Sequence, residues 1–196
     1  MTDTKPTYLA LGDSYTIGEG VKEEARWPVF LANKLNWQSP QIIATTGWTT
    51  SELLEGISKA QIASSYDWVS LLIGVNNQYR GQSLDSYQQD LIRLGEFMLP
   101  LVAHNTKRVF VISIPDYGIT PFAKDKSPQT ISSQIESFNQ VKRDFARHFG
   151  FQYCDITQHS LKAEHHQDYL TDDQLHPSTK MYRLWVDEII KTCDFS

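Results

Sequence analysis

The chain has 196 residues, enough for one domain with a sizeable core and short for two. Its 18 Lys and Arg against 23 Asp and Glu give a net charge of −5 with no basic block, which argues against nucleic acid or an anionic membrane surface as the main partner. No apolar run approaches the ~18 residues of a membrane span, and Met1-Thr2-Asp3-Thr4-Lys5-Pro6 lacks a cationic stretch followed by an apolar one, so the expectation is a cytoplasmic protein without integral membrane association.

The first expected element is a strand over residues 8–11, an apolar run that stops at Gly12-Asp13-Ser14. Trp27, Phe30, Leu31 and Leu35 then recur at helical spacing. A second strand, residues 41–44, leads into Thr45-Thr46-Gly47-Trp48-Thr49-Thr50. The third, residues 68–73, leads into Gly74-Val75-Asn76-Asn77. Leu84, Tyr87, Leu91, Leu94 and Met98 mark a helix before the fourth strand, residues 108–114. Residues 115–130, with Pro115, Pro121 and Pro128, read as the longest irregular stretch and as a mobile loop over a site. Ile131, Ile135, Phe138, Val141 and Phe145 form the next apolar stripe, ahead of a weaker strand over 151–156. Met181, Leu184, Trp185, Ile189 and Ile190 mark the last helix. Strands alternating with amphipathic helices imply right-handed crossovers and a mostly parallel sheet covered on both faces. The whole of 1–196 reads as a single domain.

That frame sends the polar candidates to one place. Ser14, Gly47, Asn76, Asp173 and His176 all follow strands, at the rim where ligands bind in open α/β sheets. The chemistry they suit is acyl transfer. A serine hydroxyl needs a neighbouring base, and His176 is the natural one, since imidazole as a side-chain type titrates near neutral pH. Asp173, three residues earlier, stands close enough to orient that imidazole; Asp172 and Asp116 are rival acids. The N–H groups of Ser14 and Gly47 and the amide of Asn76 are donors for a developing oxyanion. Trp48, Tyr79, Tyr117 and Phe122 fall in rim loops as candidate pocket walls. Asp13 reads as a turn organiser, since Ser14 after Gly-Asp is also good capping chemistry.

Gly12-Asp13-Ser14, Gly47-Trp48-Thr49, Gly74-Val75-Asn76 and Asp173-Gln174-Leu175-His176, in this order, resemble the four motif blocks of the SGNH, or GDSL, hydrolase family of esterases and lipases. The resemblance spans nearly the whole chain. It implies a three-layer α/β/α, flavodoxin-like fold with a five-stranded parallel sheet in order 2-1-3-4-5. It also implies Ser14, Asp173 and His176 as a catalytic triad, which selects Asp173 over Asp172. Two positions depart from the family pattern. Asn77 stands where the third block carries aspartate, and Ile42 stands where the second block carries asparagine; neither removes a catalytic group.

The expected function is therefore a serine ester hydrolase acting on a small-molecule or lipid acyl ester, without cofactor or metal. An acyl-thioesterase, a lysophospholipase, a carbohydrate acetylesterase and a catalytically silent binding module are the alternatives on the same frame. A flavin or phosphate site lacks its loop, and an α/β-hydrolase lacks its Gly-x-Ser-x-Gly elbow. His159, His165 and His166 have no companion ligand spacing and read as surface histidines. Cys154 and Cys193 belong to no Cys-x-x-Cys pair and read as ordinary thiols.

Overall fold

A computed structural model describes residues 4–196; the reading of Met1, Thr2 and Asp3 as part of a plain lead into the first strand lies outside them. The first strand, β1 (Tyr8–Gly12), runs into a four-residue helix, α1 (Ser14–Ile17), capped by Asp13. Then come α2 (Trp27–Lys34), β2 (Gln41–Ala44), α3 (Thr50–Lys59) and β3 (Trp68–Leu72). The short α4 (Val75–Tyr79) and long α5 (Leu84–Leu101) precede β4 (Val109–Ile112). The chain closes with α6 (Pro128–Phe149), β5 (Gln152–Cys154), α7 (Thr157–Ser160) and α8 (Thr179–Thr192).

All strand pairs are parallel, in the order β2-β1-β3-β4-β5. Every residue of β1, β3 and β4 is buried, as a parallel sheet covered on both faces requires, while the edge strands β2 and β5 are half-exposed. The chain moves outward from β1 to β2, then returns past β1 to start β3. That reversal leaves a crevice between the carboxyl ends of β1 and β3. Helices α2 and α8 pack together, and α3, α5 and α6 form a second group. At the opposite end of the sheet, Trp37 stacks on Trp68 at 5.3 Å, and Phe195 meets both rings edge-on.

Three local expectations change. The helix α3 lies between β2 and β3 where no apolar stripe announces it; only Thr50, Leu53 and Ile57 are buried on it. The stripe of α6 passes through Lys142, not Val141. Ile131, Ile135, Phe138, Lys142 and Phe145 are buried at alternating spacings of four and three, so a fully buried lysine occupies a core position. Residues 115–130 are irregular apart from a 3-10 turn at Pro121–Ala123 and the start of α6, and Asp116, Tyr117, Thr120 and Ala123 are buried. Tyr117 is tied to Gln78 by a 2.8 Å hydrogen bond and the Asp116 N–H to Ser160 Oγ at 3.1 Å, so the segment is bracketed into the fold.

Gly12 ends β1 in register with Ala44 and Leu72. A Cβ there would stand 2.1 Å from Thr16 Oγ1 and 2.4 Å from the Leu72 carbonyl. The strand-to-helix turn needs glycine for this close approach. Gly12→Ala is expected to destabilise the protein by ~1–3 kcal/mol or more through forced displacement of backbone, read as a lowered urea midpoint with an unchanged slope.

Candidate active site

The crevice at the β1/β3 reversal holds a cavity of about 190 Å³. Ser14, Gly47, Asn76 and His176 all line it, with Tyr15, Thr46, Val75, Tyr79, Tyr117, Phe122 and Leu175. Ser14 is the first residue of α1 and nearly buried. Asp13 caps that helix by accepting the Tyr15 N–H at 3.1 Å, and Tyr182 of α8 donates its hydroxyl to the Tyr15 carbonyl at 3.0 Å. The Ser14 turn is thus held from both sides of the sheet.

The Asp-x-x-His segment is a tight loop before α8. Leu170 bridges Pro177, and the Thr171 N–H reaches the His176 carbonyl at 2.8 Å. Gln174 in this loop takes φ 60°, a left-handed conformation that a non-glycine residue holds only when its surroundings impose it. Asp173 gains four donors. Its Oδ1 accepts from the N–H groups of Leu175 and His176, both at 2.9 Å, and from Thr171 Oγ1 at 2.8 Å. Its Oδ2 lies 2.6 Å from His176 Nδ1. Burial pushes the carboxyl pKa up, but the His176 side chain, these N–H groups and the Thr171 hydroxyl outweigh burial and hold it well below the usual carboxylate range. An ionised carboxylate only accepts hydrogen bonds. The proton therefore sits on His176 Nδ1, leaving Nε2 free to act as a base. The ring is further placed by an edge contact with Tyr15 at 5.7 Å.

The two rival acids stand apart from the imidazole. Asp116 closes its own turn by accepting the Gly118 N–H at 2.8 Å. Asp172 lies beside Asp173 in an open groove with Glu19, Glu24 and Asp168.

The donors opposite are built from short structures. Residues 45–48 form a turn closed by Trp48 N–H to the Thr45 carbonyl at 3.2 Å, with Gly47 third at φ 87°. This is a type II turn, whose third position demands positive φ. Among the described residues, neither the Gly47 N–H nor the Ser14 N–H donates to a protein acceptor. Asn76, in α4, donates one amide N–H to the Trp48 carbonyl at 2.9 Å, which leaves its second N–H unspent. Three donors without a protein acceptor thus converge on the cavity, one on nearly buried Ser14 and two on half-buried Gly47 and Asn76.

Sequence reasoning missed several residues. Thr46, Val75 and Leu175 join Tyr79, Tyr117 and Phe122 in the wall. Trp48, expected in the wall, turns its indole onto Gly56 of α3, where an added Cβ would stand 2.2 Å from the ring. Asn77 is fully buried and brackets α3. Its Oδ1 accepts the Thr50 N–H at 3.1 Å, and its Nδ2 donates to Thr50 Oγ1 at 2.7 Å and Gln82 Oε1 at 2.8 Å. His159 is not a surface residue. It is partly buried and pairs with Glu188 at 3.1 Å, while His165 and His166 are exposed. No group of three or more metal-ligating side chains occurs among the described residues. No helix among them is long and apolar enough to cross a membrane.

A family model, the GDSL-like lipase/acylhydrolase family, matches residues 10–184. The chain belongs to that family. Ester hydrolysis is thereby supported at the level of the family. No curated protein matches the chain by sequence. Among solved structures, a lipolytic protein of the G-D-S-L family from Desulfitobacterium hafniense matches with TM-score 0.77 and 16% identity, over 95% of this chain and 99% of that one. A variant of Axe2, an acetyl-xylooligosaccharide esterase from Geobacillus, matches with TM-score 0.75 and 19% identity, over 100% and 98%. TesA matches with TM-score 0.73 and 19% identity, over 95% and 97%. At these identities the likeness is one of fold.

Behind the Ser14 turn, the acid of the first motif faces a buried lysine that belongs to none of the motifs. Asp13 and Lys142 are both fully buried. Lys142 Nζ donates to the Ile112 carbonyl at 3.0 Å, and Asp13 Oδ2 has no hydrogen-bond partner among the described residues. Burial pushes the Asp13 carboxyl up and the Lys142 amine down, and their mutual attraction opposes both shifts. No direct ion pair joins them, so the attraction acts at longer range, and removing the lysine would leave the buried carboxyl without its counter-charge. Lys142→Met is expected to cost ~3 kcal/mol or more in urea unfolding, and adding Asp13→Asn to recover most of that loss. Additive losses in the double variant would show that the two groups are not coupled.

Proposed function

We propose that the protein is a carboxylic ester hydrolase working through an acyl-enzyme on Ser14, with His176 as base and Asp173 as orienting acid. The observation that carries this reading is a convergence on one small cavity. A serine hydroxyl, an imidazole with its Nδ1 proton anchored on a carboxylate, and three donors with an unspent N–H all meet there. His176 Nε2 takes the Ser14 Oγ proton as the oxygen attacks the ester carbonyl carbon. The carbonyl oxygen becomes an oxyanion, received by the N–H groups of Ser14 and Gly47 and the amide of Asn76. Collapse breaks the carbon–oxygen bond to the alcohol, which leaves with the proton from His176. Water then attacks the acyl carbon as His176 takes its proton; collapse breaks the bond from that carbon to Ser14 Oγ, which regains the proton from His176 as the carboxylic acid leaves.

The cavity, about 190 Å³, is smaller than the ~300–1,000 Å³ of pockets for drug-sized ligands. Val75, Tyr79, Tyr117, Phe122 and Leu175 make its wall largely apolar. Both properties favour a short acyl group over a long lipid chain. An oxygen ester and a thioester would be processed by the same steps.

Ser14→Ala is expected to lower kcat for p-nitrophenyl acetate by on the order of 10⁴ to 10⁶. Retained turnover in that variant, or no turnover of any activated ester by the wild type, would sink the assignment. The pH profile supplies a second check. Asp173 is held below the usual carboxylate range, so it stays ionised as the pH falls toward 4. A general base loses its function on protonation. kcat/KM should fall on the acid side through a single ionisation that is not that of Asp173. Asp173→Asn should lower kcat by about 10⁴-fold, because an amide no longer enforces the Nδ1–H tautomer. A profile flat across the acid range, with chemistry rate-limiting, would exclude His176 as base.

A further inference from the structure

The short helix α4 delivers a second side chain to the Gly47 turn. Arg80, its C-terminal cap, donates from Nη2 to the Gly47 carbonyl at 2.5 Å. From Nη1 it reaches both carboxylate oxygens of Glu52, at 3.1 and 3.2 Å. Glu52 in turn accepts the Thr49 N–H at 2.8 Å and the Thr49 hydroxyl at 2.9 Å, closing the capping box of α3. Two successive carbonyls are thus taken from the same helix: Gly47 by Arg80 and Trp48 by Asn76.

We propose that Arg80 is a positioning residue for ester hydrolysis, fixing the Gly47 turn so that its N–H faces the reacting carbonyl oxygen. This rests on the reading of Ser14, Gly47 and Asn76 in the preceding subsection. The turn needs an outside hold. Its central glycine has little conformational preference of its own, and its closing hydrogen bond is long, 3.2 Å. The Gly47 N–H belongs to the peptide before the glycine, and the carbonyl that Arg80 holds belongs to the peptide after it. With that exit anchored, a swing of the donor peptide must be absorbed at Thr46 and Gly47 themselves, without help from the rest of the turn. Such a swing would carry the donor away from the cavity.

Arginine suits this task and lysine does not. The guanidinium is a rigid fork, and its two ends do different work here, one on a carbonyl and one on a carboxylate. An ammonium would serve one partner and release the other. The arm is otherwise of small value to the fold. Arg80 and Glu52 side chains are 46% and 38% exposed, and an ion pair so open to water adds little stability. Arg80 is also absent from the cavity wall, so substrate affinity does not depend on it directly.

The test uses p-nitrophenyl acetate with the intact chain, four single variants (Arg80→Ala, Arg80→Lys, Glu52→Gln and Ser14→Ala) and the double variant of Arg80→Ala with Glu52→Gln. Arg80→Ala is expected to lose on the order of 10- to 100-fold in kcat, with KM and the melting temperature unchanged. Arg80→Lys should recover little of that loss. Glu52→Gln should lose less, and combining it with Arg80→Ala should add nothing, because both act through one clamp. Millimolar guanidinium should restore part of the rate to Arg80→Ala and none to Ser14→Ala. Turnover that depends on Ser14 but has a normal kcat in Arg80→Ala would overturn the role of Arg80 alone. So would a kcat loss that only tracks a lowered melting temperature, or full activity in Arg80→Lys. Turnover that survives Ser14→Ala, or none in the wild type, would instead remove the reading of the site on which the proposal rests.

Discussion

The position of β1 governs the rest of this molecule. It pairs in parallel with β2 on one side and β3 on the other, so the chain must leave in one direction and return in the other. Helices that cover the sheet cannot fill the gap left at that reversal. The segments after β1 and β3 therefore meet across a crevice, with the turn after β2 beside them. Gly12 makes the meeting close by letting β1 lie against the Leu72 carbonyl without a side chain between. Ser14, Gly47 and Asn76 become neighbours through backbone topology before any side-chain contact is considered.

What the rim offers chemically is a set of unsatisfied donors. A helix N-terminus leaves the Ser14 N–H free, a type II turn leaves the Gly47 N–H free, and α4 leaves half of the Asn76 amide free. Each is a local debit in a folded protein. The fully buried strands β1, β3 and β4 and the apolar layers over them carry that burden. On the opposite wall the carboxylate is fully spent, and only the Nε2 of His176 is left open. Asp173 uses both oxygens, and its four partners keep it charged and keep the imidazole turned one way.

The strands and the long helices were legible because each carries its own signature: an apolar run for a strand buried on both faces, a 3.6-residue stripe for α5, α6 and α8. Four ordered motifs, each just after a strand or, for the last, before the final helix, pointed to the rim. The elements that finish the site carry no such signature. α1 and α4 have four and five residues and exist through their caps and neighbours, and α3 buries too few residues to mark a stripe. Lys142 escaped because a lysine in a core stripe looks like a solvated one, so the neighbouring Val141 took its place in the pattern. Trp48 escaped for the reverse reason: its position in a rim loop says nothing of where the indole turns, and Gly56 supplied the space. The engagement of Asp116 with Gly118 is likewise a matter of a few degrees of backbone that spacing does not encode.

The bracket that Asn77 makes on α3 has a consequence for how this chain tolerates change. The Asn77 amide donates to the Thr50 hydroxyl, and that hydroxyl passes its own hydrogen to Asp90 at 2.8 Å. Direction runs one way along this relay, and it begins with a group that has a hydrogen to give. An aspartate at 77 would reverse the first link, leaving one hydroxyl hydrogen for two carboxylates. Positions 50, 77 and 90 are therefore not free to drift one at a time. A replacement at any of them is read against the other two, so the asparagine at 77 is one half of an epistatic bargain whose other half lies at 50 and 90, away from the cavity wall.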